Sequence, residues 1–162
     1  MSIDPRDLRY ERYEVEELYY EYVECLDDEE LERWPEFFVE DCLYKIIPRE
    51  NFERNLPIAL MRCESKGMLK DRVTTVRETS VYAPRSLRHL LSNIRIKGND
   101  NGQLRVQANY AVLETLPDEE TRVFNAGKYV DLVVREDGKL RFKEKLCVFD
   151  SLLVPGSLIY PI

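Results

Sequence analysis

The chain has 162 residues, with 24 basic and 31 acidic side chains and a net charge of −7. The length fits one domain of ordinary size, and the charge argues against broad nucleic-acid backbone binding, which needs a basic surface. No run is long and apolar enough to span a bilayer, and the charged opening "MSIDPRDLRYERYE" carries no apolar signal core, which points to the cytoplasm.

The first element is legible from its spacing. In "YEVEELYYEYVECL", Val15, Leu18, Tyr19, Tyr22, Val23 and Leu26 fall at i, i+3, i+4, i+7, i+8 and i+11. That is one apolar stripe of a helix, with Glu16, Glu17, Glu21 and Glu24 elsewhere. Its tyrosines read as core edge rather than as a cofactor box. In "LDDEELERWPEFF", Asp27 can cap a second short helix, Glu30 completes a capping box, and Pro35 limits or kinks that helix. "CLYKIIPR" is a short strand stopped by Pro48. "NFERNLPIALMRC" is a helix start interrupted by Pro57. "SKGMLKDRVTTVRETSVY" is helical, with Ser65 as N-cap and Met68, Leu69, Val73 and Val76 as apolar positions. Its β-branched "VTTV" weakens the far end.

After Pro84 the pattern changes to strands. "RHLLSNIRIKG", "QLRVQANYAVLET", "TRVFNAGKYVDLVVRE" and "KLRFKEKLCVFD" follow one another, and Asp137-Gly138 is a tight-hairpin turn. The third strand runs about 15 residues, roughly 50 Å if extended, and strands that long bend. Gly127 inside it is a natural kink or bulge. The expected fold is α+β: a curved antiparallel sheet wrapped around N-terminal helices, making a cone with an interior. One domain is expected over 1–162. It has a mainly helical part over 1–80 with one short strand, a meander over 88–150, and an apolar tail over 151–162. That uncharged tail, "SLLVPGSLIYPI", is expected to be buried, in its own chain or in a subunit contact.

Alternation assigns faces to the strands. Leu104, Val106, Ala108, Tyr110 and Val112 share one. Leu140, Phe142, Glu144, Leu146 and Val148 share another, with Glu144 the odd member. Asn125, Gly127, Tyr129 and Asp131 share a third, and His89, Leu91, Asn93 and Arg95 a fourth. A functional reading makes His89, the sole histidine, a general base oriented by Asp131 or Glu144, with Tyr110 or Tyr129 polarising a substrate oxygen. The plainer reading has His89 and Asn93 bonding to backbone or a partner, and Glu144 paired with an arginine or solvated. A one-residue slip would reverse any of these faces.

Ligand counts narrow the chemistry. One histidine cannot supply a two-histidine facial triad, a Rieske cluster or the usual catalytic zinc sites. Cys25, Cys42, Cys63 and Cys147 form no C-x-x-C pair and fit reduced, buried thiols. An all-carboxylate magnesium or calcium site stays open, but no D-x-D-x-D-G loop is present, and no metal or cofactor is expected in this chain.

The order of motifs adds a resemblance. "LYYEYVECLDDEELERWPEFFVEDCLYKI", then "GMLKDRV", then "RHLLSN", through to "KLRFKEKLCVFDSLL", resembles the beta, or small, subunit of aromatic-ring-hydroxylating dioxygenases. "WPEFF" followed by "DCLYKI" is similar to subunits of enzymes acting on aromatic carboxylates such as salicylate, terephthalate or anthranilate. The resemblance implies a cone of the nuclear transport factor 2 or scytalone dehydratase type. It implies an α3β3 hexamer built on a trimer of beta chains. The Rieske [2Fe–2S] cluster and mononuclear iron would then lie in the alpha subunit, and this chain would be non-catalytic. His89 and Asn93 would brace the sheet or the alpha-subunit contact. Two alternatives stand beside it: a stand-alone cone-fold dehydratase or isomerase using His89 with Asp131 or Glu144, and a small-ligand-binding protein of the same fold.

Overall fold

The computed structural model describes residues 5–79, 83–151 and 158–162, with side chains from residue 7 onward. Helix α1 (Pro5–Asp27) opens the chain. All six stripe residues are buried, Tyr19 and Tyr22 completely, while Tyr20 is half exposed on the opposite side. The stripe sets where the helix ends: Leu26 must reach the core, so α1 continues through Asp27 and no second helix is capped there. The amide of Asp28 donates to the Glu24 carbonyl, and Glu29 takes φ +57 to end the helix. A 3₁₀ turn (Trp34–Phe37), with Pro35 at its start, takes the place of the expected helix and buries Trp34.

Strand β1 (Phe38–Pro48) starts four residues before Cys42, where the strand was expected to begin, and ends at Pro48. Helix α2 (Arg49–Glu53) is little more than one turn. The following "MRC" is not helical. It forms β2 (Met61–Cys63), antiparallel to β1 with Tyr44 opposite Cys63. Three residues are too few for a periodicity to show. Helix α3 (Lys66–Glu78) has the expected cap, the Ser65 hydroxyl accepting from the Met68 amide at 3.2 Å. Leu69, Val73 and Val76 are buried, but Met68 is exposed. The end of the stretch expected to be helical, residues 80–82, lies outside the described residues.

Four long strands complete the chain: β3 (Ser86–Asp100), β4 (Gln103–Thr115), β5 (Arg122–Glu136) and β6 (Lys139–Phe149). Asp137 and Gly138 take φ +51 and +78, the left-handed pair that joins β5 to β6 in a tight hairpin. The sheet order is β2-β1-β6-β5-β4-β3. Its pairs are antiparallel except one: β1 runs parallel to β6, with Tyr44 opposite Lys145. The expected antiparallel meander forms, and this pairing, made between segments about a hundred residues apart, adds one parallel contact to it.

Bulges bend the long strands. The β3–β4 register shifts between Ser92 and Arg95, where Asn93 sits at φ +53. Lys143 is the extra residue where the β5–β6 register shifts at Leu132/Val133. Gly127 serves a different purpose from a kink. A Cβ there would lie 2.0 Å from the Val148 carbonyl oxygen and 2.7 Å from the Phe149 Cα. Only glycine lets β5 and β6 approach so closely. Gly127→Ala should therefore cost about 1–3 kcal/mol, read as a lower urea midpoint with an unchanged slope.

The curved sheet closes on α1. Tyr22 meets Phe37, Phe38 and Phe142 edge-on, and Trp34 meets Phe38 and Tyr44 the same way. Such T-shaped contacts put the positive edge of one ring on the negative face of the next.

Candidate functional site: the polar interior of the cone

Within this aromatic lining lies an ion pair with no exposed side-chain surface. Lys145 Nζ donates to Asp131 Oδ2 at 2.9 Å. The ammonium also sits 3.6 Å from the centroid of Tyr129, 4.3 Å from Phe142, 4.6 Å from Tyr22 and 4.7 Å from Tyr19. Desolvated cation–π contacts of this kind hold the charge out of water. Asp131 is further bonded by the Tyr19 hydroxyl and, at 3.2 Å, by the Leu146 amide. Burial pushes the Asp131 carboxyl above its usual range, and the charge of Lys145 opposes that shift most.

Asp131 and Tyr110 were placed on interior faces from sequence, and both are there. Glu144 is not. The extra residue Lys143 slips β6 by one position, so Phe142 faces inward, Glu144 turns away, and Lys145, Cys147 and Phe149 fill the row. Alternation read without the bulge thus selects Glu144, the carboxylate next to the buried lysine. No local signal marks a bulge in "RFKEKL".

His89 is buried but belongs to another cluster. Its Nδ1 lies 2.6 Å from Asp27 Oδ1, and its backbone amide donates to both oxygens of that carboxylate at 3.1 and 3.0 Å. Its carboxylate partner is Asp27, at the end of α1, not Asp131 or Glu144. The Nε2 atom has no hydrogen-bond partner among the described residues. Asn93 and Arg95, expected on the same face, are exposed because the bulge at Asn93 turns the strand.

Tyr110 donates to Asn125 Oδ1 at 2.6 Å, and its ring stacks on Tyr129 at 4.4 Å. Burial pushes both phenols far above the usual range, so neither ionises near neutrality. The four thiols are buried and unpaired. Cys147 is pushed up to about 12, and Cys25 and Cys42 to about 11, by burial, which leaves them poor nucleophiles.

The end of the tail completes the chamber. Ile162 is fully buried, and Tyr160 nearly so. The Ile162 oxygen accepts from the Tyr22 hydroxyl at 3.0 Å, the Tyr44 hydroxyl at 3.0 Å and the Cys147 thiol at 3.2 Å. Of the tail's earlier apolar residues, Leu152, Leu153 and Val154 lie outside the described residues.

Iron centres do not fit these residues. No three His, Cys, Asp or Glu side chains gather among the described residues, and the single imidazole already has one nitrogen on Asp27.

The interior of the cone is thus filled by an ion pair, aromatic rings and residues 160 and 162 of its own chain. Residues 22–155 match the family model for the ring hydroxylating beta subunit, and the chain belongs to that family. It is 39% identical over 150 residues to the anthranilate 1,2-dioxygenase small subunit of Burkholderia cepacia, covering 93% of each chain. It is 32% identical to the beta 1 subunit of the terephthalate 1,2-dioxygenase terminal oxygenase component of a Comamonas species, covering 87% of this chain and 92% of that one. A solved structure assigned as the beta subunit of an aromatic-ring-hydroxylating dioxygenase from Novosphingobium aromaticivorans superposes with a TM-score of 0.87 at 40% identity, covering 96% and 99% of the two chains. The protein is thus the small subunit of an oxidoreductase complex that hydroxylates aromatic rings.

Proposed function

We propose that this chain is the non-catalytic scaffold subunit of an α3β3 oxygenase acting on an aromatic carboxylate in the cytoplasm. The named substrates of two relatives, anthranilate and terephthalate, are both aromatic carboxylates and support that substrate class. In this reading residues 1–162 form one domain, and the Rieske cluster and mononuclear iron belong to the alpha subunit. No residue of this chain, His89, Asp131, Glu144 and Tyr110 included, takes part in chemistry. The observation that carries the reading is the match to small subunits over nearly the whole chain; the filled cone agrees with it. The dyads expected from sequence, His89 with Asp131 or Glu144, do not form, because His89 pairs with Asp27 and Asp131 with Lys145.

Co-expression with an alpha subunit tests this directly. The purified chain alone should hold no stoichiometric iron, and the complex should hold iron in proportion to its alpha chains. Light scattering should give equal numbers of the two subunits and a mass near that of a hexamer. One tightly bound iron per isolated beta chain, or a beta chain that ignores the alpha subunit at micromolar concentration, would reject the proposal. In the assembled, iron-replete complex, His89→Gln should leave turnover within about tenfold, whereas loss of a true general base costs about a hundredfold to ten-thousandfold.

A further inference from the structure

Ile162 is held the way a pocket holds a ligand. Buried backbone groups are ordinarily satisfied by the helix or sheet ladder. Here three side chains from α1, β1 and β6 converge on one oxygen, that of Ile162. The Tyr44 hydroxyl also accepts from the Ile162 amide at 2.9 Å, and Trp34 Nε1 steadies the Tyr22 hydroxyl at 3.2 Å. Residues 158–162 reach this point without joining a helix or strand. They are tied down from α3, where Arg72 donates to the carbonyls of Leu158 at 3.2 Å and Ile159 at 3.0 Å. The chamber also keeps unused polar capacity: the Tyr129 hydroxyl and the Asn125 Nδ2 are buried with no hydrogen-bond partner among the described residues. An apolar cavity with a few convergent polar groups is the general form of a small-molecule site.

We infer that the cone interior is a latent binding site for a compact, branched or aromatic carbonyl or carboxyl compound, and that residues 158–162 occupy it as a built-in ligand. Ile162 supplies the branched apolar group, its oxygen the acceptor, and Arg72 the clamp that keeps the segment seated. A free ligand of the same shape binds only when the segment is out.

The test uses the full-length chain. Ile162→Asp puts a charge against Trp34 and the buried tyrosines, so the segment can no longer seat. The probe is 3-methylpentanoate, which carries the side chain of isoleucine next to a carboxyl group. The wild-type melting temperature should not move with millimolar probe. That of Ile162→Asp should start several degrees lower and rise saturably with probe. Adding Tyr44→Phe to that variant should weaken the probe about fivefold to tenfold, the loss of one hydrogen bond. A folded Ile162→Asp chain that ignores 3-methylpentanoate overturns the inference, as does one that melts like wild type. If the variant does not fold alone, it is refolded with the peptide Leu-Ile-Tyr-Pro-Ile. Recovered near-ultraviolet circular dichroism supports the inference, and its absence overturns it.

Discussion

Lys145→Met should cost about 3–5 kcal/mol, because it strands the Asp131 carboxylate, which has no exposed surface, without its charge partner. For a chain of this length that is a fall in Tm of about 10 °C. The double change Lys145→Met with Asp131→Asn should recover more than half of the loss, since a neutral pair in a packed core carries no such penalty. The effect has a pH signature. A carboxyl whose pKa is raised by folding binds its proton more tightly in the native chain than in the unfolded one. Stability from that group is fully present when it is protonated and falls as pH rises through the raised value. Lys145 is the largest influence holding the Asp131 carboxyl down. Its removal drives the carboxyl further up and lets it take a proton. The deficit of Lys145→Met against wild type should therefore shrink between about pH 8 and about pH 5. Thermal melts at both ends of that range decide the matter, and a deficit that is constant or grows in acid contradicts the assignment.

Asp27→Ala should cost about 2–4 kcal/mol, because it leaves two buried donors of His89, the amide and Nδ1, without an acceptor. Asp27 joins the end of α1 to β3 through the backbone amide and the imidazole of His89. Urea unfolding measures the loss. Under the proposed scaffold role, turnover per assembled, iron-replete complex should stay within about tenfold. A variant of normal stability and lost activity would reverse that assignment and make the Asp27–His89 pair the chemical centre.

Sequence carried most of the frame. The stripe of α1 and the bounds of β4 were readable because apolar residues repeat at 3.6 and at 2 over a dozen positions, long enough to define a face. The same alternation placed Tyr110, Tyr129 and Asp131 inside. It failed wherever one residue broke the count. At Lys143 the slip exchanged Glu144 for Lys145, and at Asn93 it turned Asn93 and Arg95 to solvent. A bulge is decided by how the partner strand curves, and "RFKEKL" carries no glycine or turn residue to announce it. Asp27 reads locally as an N-cap because aspartate before an acidic turn usually is one. Its actual partner lies 62 residues away. A bonded, structural His89 is the plainer of two readings the sequence allows, while the identity of its carboxylate needs the fold.

The parallel pairing of β1 with β6 constrains how the chain can acquire its structure. The meander from β3 to β6 is built of neighbours and can zip by successive hairpins. Strand β1 is made early in synthesis, yet its partner is the last strand of the chain. Until residues 139–149 emerge, β1 lacks one edge, and the aromatic face of α1 lacks the floor on which Phe142 and Lys145 stand. The first half of the nascent polypeptide must therefore wait with Tyr19, Tyr22, Trp34 and Phe38 uncovered, a state prone to clumping. Its closure then locks both ends of the molecule together in one step, so a ribosome that stalls before β6 releases a sticky fragment rather than a smaller folded one.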